Sequence, residues 1–199
     1  MSRYLGPKVK LSRKVGVPIA DTPKHTSKRQ LNVPGVHGFR ARRQKDYGIR
    51  KDEKQKLRYH YNVLERQFRR YLEEAGRRPG NTGEILLQLL EQRLDNVLRR
   101  AGLCRTIWGA RQLVVHGHVR VNGEKVDRPS FSCSIGDVIT VKDKLHKLCR
   151  EQMESIPGHQ TPGWIAVNPA ELSVKVVARP TSDQVPFDVN TNLIVEFYR

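Results

Sequence analysis

The sequence predicts an α+β protein: a basic extended N-terminal arm, a helical N-terminal domain, then two helices packed on a small antiparallel β-sheet. Three observations carry this. Up to about Lys45 the chain holds prolines, glycines and cations but no sustained apolar period. From Leu57 to Leu98, leucines, valines and aromatics recur at three- and four-residue steps, the period of a helix face. After Gly117 the period drops to two, and Asn122-Gly123 supplies the pair that a type I′ hairpin demands.

The arm spans residues 1–45 and includes Pro7, Pro18, Pro23 and Pro34. Such a composition cannot bury enough apolar surface to fold alone: it reads as a solvated disordered tail or, favoured by its charge density, as an arm that orders on RNA. The helical domain, 46–91, opens with one long helix. Leu57, Tyr61, Leu64, Phe68 and Tyr71 line one face, Asp52 and Gln55 have capping-box spacing, and Gly76 suits the stop. Arg58, Arg66, Arg69 and Arg70 lie off that stripe, open to phosphates or to an ordinary solvated face with a Glu65–Arg69 pair. A second helix starts at Asn81, with Glu84 as capping-box partner, and stops at Gly102. Within the next domain, 92–152, a third helix runs from Thr106 to Gly117, weakened by about 1 kcal/mol at Gly109 relative to alanine. The hairpin at Asn122-Gly123 and a strand over Val138–Val141 follow. In the last segment, 153–199, Pro157–Gly163 reads as a loop. Val174–Ala178 and Leu193–Tyr198 read as strands that complete the sheet or pack on the helical domain.

The 199 residues carry a net charge of +17. Up to Gly80 there are 22 Lys and Arg against 7 Asp and Glu; beyond it, 15 against 13. A field concentrated at one end is self-repulsive and points to a polyanion, of which a nucleic-acid backbone is the commonest. No stretch approaches the roughly 20 apolar residues of a membrane span, and no secretory h-region or amphipathic anchor is present, so no membrane partner is expected. Cys104, Cys133 and Cys149 form no CxxC pair, which fits reduced thiols in a cytoplasm.

The informative block is Arg93 to Val126. Arg93, Arg100, Arg111 and Gln112 fall on two adjacent helices, Arg105 in the turn between them, His116 at the second helix's end, and Asn122 and Lys125 on the hairpin. Clustered guanidiniums bridge phosphates bidentately and stack on bases. With Arg3, Lys8, Lys10, Arg13, Arg40, Arg42, Arg43 and Lys45 of the arm, and Arg58, Arg66, Arg69 and Arg70, these are the candidate RNA-binding residues. No catalytic residue, metal ligand or cofactor is assigned. There is no Walker-A loop, nucleophile elbow, H-E-x-x-H helix or dinucleotide fingerprint. Asp95 and Asp127 are lone carboxylates, and Asp95 is expected to orient an arginine. Two other readings compete: an RNA-modifying enzyme or regulator that uses this block to hold RNA, and a DNA-binding helix-turn-helix. Only about 50 residues follow the hairpin and its sheet, little room for a catalytic domain. No dimerisation helix accompanies the helix pair.

The block, read with Val119-Arg-Val-Asn-Gly123, resembles the S-four RNA-binding domain. Arg3-Tyr-Leu-Gly-Pro-Lys8, Pro34-Gly35, His37-Gly38, Asp46-Tyr-Gly48, Glu53-Lys-Gln-Lys56, Val63-Leu-Glu-Arg-Gln-Phe-Arg69 and Gly80-Asn-Thr-Gly-Glu84 extend the resemblance to the bacterial small-subunit ribosomal protein S-four family, from Arg3 to Tyr198. The resemblance implies direct binding to small-subunit ribosomal RNA, nucleation of assembly of its 5′ domain, and a place near the messenger channel entrance beside the S-five protein, with an effect on decoding accuracy. In some members it also implies repression of the protein's own messenger RNA. Some members hold zinc through N-terminal cysteines; here the first cysteine is Cys104, and His25 and His37 alone make a poor tetrahedral set. Members often place an acidic residue three positions after the cap of the third helix; here Thr106 is followed by Ile107-Trp108-Gly109, which removes the capping-box partner, and Trp108 packs at the core or rim, or stacks on a base.

Overall fold

A computed structural model describes residues 4, 6–19, 32–40, 45–156 and 158–199. Arg3, Arg42 and Arg43 lie outside these residues, as does His25. The fold is α+β, with eight α-helices and a five-stranded antiparallel sheet among the described residues. It divides into two compact units, Met1–Leu86 with Pro186–Arg199, and Leu87–Val185. No helix among the described residues is long and apolar enough to cross a membrane.

The first unit is helical. The arm is not wholly extended, because Lys8–Val15 forms helix α1. Leu11, Ser12 and Ile19 are buried, and the Ser12 hydroxyl accepts from the Ile19 amide at 3.1 Å. The single long helix expected from Asp52 to Gly76 is two, α2 (Asp46–His60) and α3 (Glu65–Arg77). Asn62 adopts φ 49°, and the Val63 amide donates to the Arg58 carbonyl at 3.0 Å while Asn62 donates to Tyr59 at 3.2 Å. That is a Schellman turn, with asparagine in the left-handed position usually given to glycine. Asp52 and Gln55 therefore sit inside α2 and not at its start, and Gly76 lies within α3.

The turn folds Glu65 back onto α2. Its carboxylate accepts from Lys54 Nζ at 2.9 Å and Arg58 Nη1 at 2.7 Å, in place of the alternative pairing with Arg69. The third partner is the Tyr198 hydroxyl, on helix α8 (Thr191–Tyr198). Leu193–Tyr198 is thus a helix and not the expected strand. Asn190 caps it, accepting from the Asn192 and Leu193 amides, and Ile194 is buried. Burial alone raises the Glu65 pKa, but the hydrogen bonds from Tyr198, Lys54 and Arg58 outweigh it and hold the carboxyl at about 2. The folded value lies below the ordinary carboxyl value of 4.5, so the contribution is present above that pH and is lost as pH falls toward 2. Acid titration of the melting temperature is expected to show a decline over this window that Glu65→Gln flattens; parallel curves count against the network.

Helix α4 (Thr82–Glu91) contains the boundary between the units. Asn81 caps it, accepting from the Gly83 amide at 2.9 Å, but the Asn81 amide donates to Glu84 side chain to side chain, so the reciprocal box is not formed. The second expected helix also breaks in two, at Arg93, and resumes as α5 (Leu94–Arg100). Arg93 is extended and bridges Ser132. The first amides of α5, Leu94 and Asp95, donate to the Phe131 and Pro129 carbonyls, so a distant loop performs the capping.

Gly102 (φ 78°) closes α5 as expected. Thr106 caps α6 (Ile107–Val115), accepting from the Gly109 amide at 3.2 Å. Gly117 (φ 67°) ends the turn after α6. Strands β1 (Val119–Val121) and β2 (Glu124–Lys125) form the hairpin, with Asn122 at φ 51° and Gly123 at φ 87°, both left-handed as a type I′ turn requires. Strand β3 is Val138–Val141, followed by α7 (His146–Glu154), β4 (Ile165–Asn168) and β5 (Ser173–Val176). The sequence reading had neither α7 nor β4. The sheet order is β2-β1-β3-β5-β4. One face, Val119, Val121, Ile139, Val141, Ile165, Val174 and Val176, is buried against α5, α6 and α7 together with Trp164. All three cysteines are free and buried, and burial pushes the Cys133 thiol up to about 12.

Candidate nucleic-acid interface

Three of the arginines in the helix-pair block turn inward. Arg93 is 1% exposed and binds Asp95 through two bonds, Nε to Oδ1 at 3.1 Å and Nη2 to Oδ2 at 2.7 Å. Asp95 is itself 0% exposed and also faces Arg111 Nη1 at 3.7 Å. Arg93 is therefore removed from the RNA-contacting set, because a guanidinium enclosed by its carboxylate cannot reach a phosphate. Asp95 orients arginines, as expected. Arg100 donates to the Gln184 carbonyl and pairs with Glu91 at 3.3 Å. Asn96 ties the same Glu91 through its amide at 2.9 Å. The side chains of Arg100 and Arg111 keep only a small exposed edge, so they brace the helix pair more than they project from it.

The groups that do project lie at the end of α6 and on the hairpin. Gln112, His116 and Lys125 are exposed, and Arg105 is half-buried, its amide donating to Gln152 Oε1 at 3.2 Å. Asn122 is exposed, but its amide donates to Asp137 and its oxygen accepts from the Val138 amide, each at 2.9 Å. It fastens the hairpin to β3. Lys125 lies across Gly117: a Cβ placed on Gly117 would fall 2.2 Å from Lys125 Cε. That close approach ties the hairpin cation to the turn after α6. Gly117→Ala is expected to cost about 1–2 kcal/mol from the left-handed backbone, and to displace Lys125 as well. A urea midpoint equal to that of the parent protein would contradict this.

Arg120 is the cation that sequence reasoning left out. It alternates with buried Val119 and Val121, so it faces outward, and the register sets it directly opposite Lys125 and Thr140. Like charges facing across a ladder are unfavourable. Among the described residues no carboxylate lies within ion-pair distance of either. The alternating Val-Arg-Val pattern was the available signal. Lys142 and Lys144 line a cleft beside Arg120, with Asp143 and Glu171.

In the helical unit, Lys10, Arg40, Lys45, Arg66, Arg69 and Arg70 are exposed. Arg13 donates to the Asn32 carbonyl at 2.8 Å, Arg58 is held by Glu65, and Arg69 sits 5.9 Å from the Tyr198 ring centre. Lys8 is half-buried on α1. Lys10, Lys14 and Arg40 rim a cleft of about 1050 Å³ that also contains Phe39. Phe39 is strongly exposed, as is neighbouring Val36, so apolar contact surface lies among the cations.

Similarity to known proteins runs along the whole chain. Residues 3–91 match the ribosomal protein S4/S9 N-terminal domain, and residues 92–139 match the S4 domain. Small ribosomal subunit protein uS4 of Akkermansia muciniphila is 48% identical over 202 residues, covering 100% of this chain and 99% of the relative. The chain belongs to the uS4 family. The uS4 proteins of Roseiflexus castenholzii and Cutibacterium acnes are each 46% identical, again over 100% of this chain and 99% of the relative. uS4 is a structural protein of the small ribosomal subunit, and membership sets aside the reading of the chain as an RNA-modifying enzyme. Within the uS4 family frame, the boundary between the two matched segments, at 91/92, falls where α4 gives way to Arg93.

Proposed function

We propose that this chain binds small-subunit ribosomal RNA directly in the cytoplasm, helps nucleate folding of the RNA's 5′ domain, and contributes to the messenger channel entrance and to decoding accuracy. The S-five protein is its expected neighbour there, and its own messenger RNA is a second ligand under this reading. The observation that supports it is the distribution of exposed cations with no carboxylate partner among the described residues: Lys10, Lys45, Arg66 and Arg70 on the helical unit, and Arg120 and Lys125 on the sheet unit. Both units thus carry phosphate-seeking groups on rigid elements, and RNA junctions are recognised by backbone shape and charge. Chemical probing of a small-subunit transcript tests it. The full chain is expected to protect nucleotides of the 5′ domain at moderate ionic strength and to sediment with small subunits from lysate. Absence of any protection overturns it.

A further inference from the structure

The cavity between α6 and α7 extends the RNA-binding reading above and rests on it. It measures about 510 Å³. Its apolar lining is Leu103, Cys104, Leu113, Leu145, Leu148 and Cys149. Its polar rim is Arg105, Gln112, His116 and His118. We propose that this pocket receives a single unstacked base of the bound RNA.

Charge selects the ligand class. Among the described residues no carboxylate lines the cavity, and its ionisable groups apart from the thiols are arginine and histidine. The cleft beside α1 includes Asp52, and the one beside Arg120 includes Asp143 and Glu171. Among the described residues no three histidines, cysteines or carboxylates come together to hold a metal ion, and a lysine side chain would find no counter-charge here. An apolar-faced ligand with an anionic edge is matched on both counts, and a nucleobase attached to its phosphates is such a ligand. Leu148 is 44% exposed, an apolar wall left open to water beside cations. Burial raises the Cys104 thiol far above its ordinary range, so the floor stays neutral.

The rim supplies what base recognition uses. Gln112 is exposed, and its amide both donates and accepts, the pattern of a base edge. Gln152 spends its oxygen on the Arg105 amide and keeps its NH₂ as a donor. The His116 and His118 rings stand 6.0 Å apart at 59°, and imidazole faces are among the surfaces on which splayed RNA bases stack. The pocket is continuous with the proposed phosphate-binding edge, since Gly117, crossed by Lys125, lies between these two histidines. A base leaving a stacked junction next to that edge therefore meets an apolar floor, a hydrogen-bonding amide and cations for its phosphates in one place.

The test uses the full chain with a small-subunit transcript, probed at the Watson–Crick edges of its bases. Gln112→Leu and Leu148→Trp are the variants; both positions are exposed, so their melting temperatures should match the parent. The parent is expected to protect at least one unpaired base that neither variant protects. Each variant is expected to bind roughly 5- to 100-fold more weakly, the range of one lost stacking contact, with an unchanged salt slope because no phosphate contact is removed. Parental protection in both variants overturns the base pocket while leaving RNA binding intact. Equal RNA binding with reduced incorporation into subunits also overturns it, and assigns the cavity to a side chain of a neighbouring protein. A rise in the free protein's melting temperature with millimolar nucleoside monophosphates overturns it in favour of a free nucleotide. If the parent itself protects nothing, the RNA-binding reading fails first and the pocket with it.

Discussion

Replacing Asp95 with alanine is expected to destabilise the Leu87–Val185 unit by about 3–5 kcal/mol, the cost of leaving a buried charge without its partner. Arg93 is the stranded charge: at 1% exposure it has no water to turn to, and Asp95 supplies both of its bidentate bonds. Asp95 does more than neutralise Arg93. Its Oδ1 accepts the Asn96 amide at 3.0 Å, in the first turn of α5, and its Oδ2 faces Arg111 on α6. Removing it frees the start of α5 and loosens the contact between α5 and α6 together. A domain with an ordinary stability of 5–15 kcal/mol would lose a large share of it. The double variant Arg93→Met, Asp95→Leu is expected to recover much of the loss, since replacing both members with apolar groups removes the stranded charge. Urea midpoints of the single and double variants measure this. A single variant within 1 kcal/mol of the parent would show that the pair does not hold the unit together.

Neutralising Lys10, Lys14, Arg40, Lys45, Arg66 and Arg70 to glutamine is expected to make log affinity for small-subunit RNA fall less steeply with log salt, by about 4–5 in slope. Each phosphate contact contributes about 0.7–0.9 to that slope. All six side chains are exposed, and none makes an ion pair among the described residues. Their stems hold no core, so the fold should be little affected, within about 0.5 kcal/mol per site. Moving the same number of neutralisations to the exposed cations Lys144, Lys147, Arg150, Lys175, Arg179 and Arg128 tests whether the N-terminal excess of charge matters more than its total. The N-terminal set is expected to have the larger effect. Equal slopes for the two sets would mean that the RNA reads only net charge.

The sequence was most legible where one residue's backbone decides the outcome. Asn122-Gly123 both require left-handed φ, and few pairs other than this tolerate it in a two-residue hairpin. Gly102 and Gly117 were readable for the same reason. Asn62 takes the same conformation but lay inside an unbroken apolar period, so the end of α2 was hidden. Helix α8 misread as a strand because Leu193, Ile194, Val195, Phe197 and Tyr198 are branched or aromatic and too few to display a period. Its helical state follows from the Asn190 cap and from packing on α2, where Arg50 meets Glu196 at 3.1 Å and Tyr47 meets Phe197 at 5.6 Å. Helix α7 escaped because its only fully buried side chain is Cys149. It forms one wall of the cavity, so the cavity was invisible too.

By itself the sequence determined the fold class, the hairpin, the cap at Thr106, the family resemblance and the sign and location of the charge, since each depends on local backbone preference or on composition. Which arginines face the solvent was decided only by the tertiary structure. Arg93 and Arg120 are the same residue type, near one another in the chain, yet the first is enclosed by Asp95 and the second stands on an outward strand position. Charge is conferred by the side chain, but its availability depends on what folds over it, and the segments that cover Arg93 arrive from Pro129 to Ser132, more than thirty positions away.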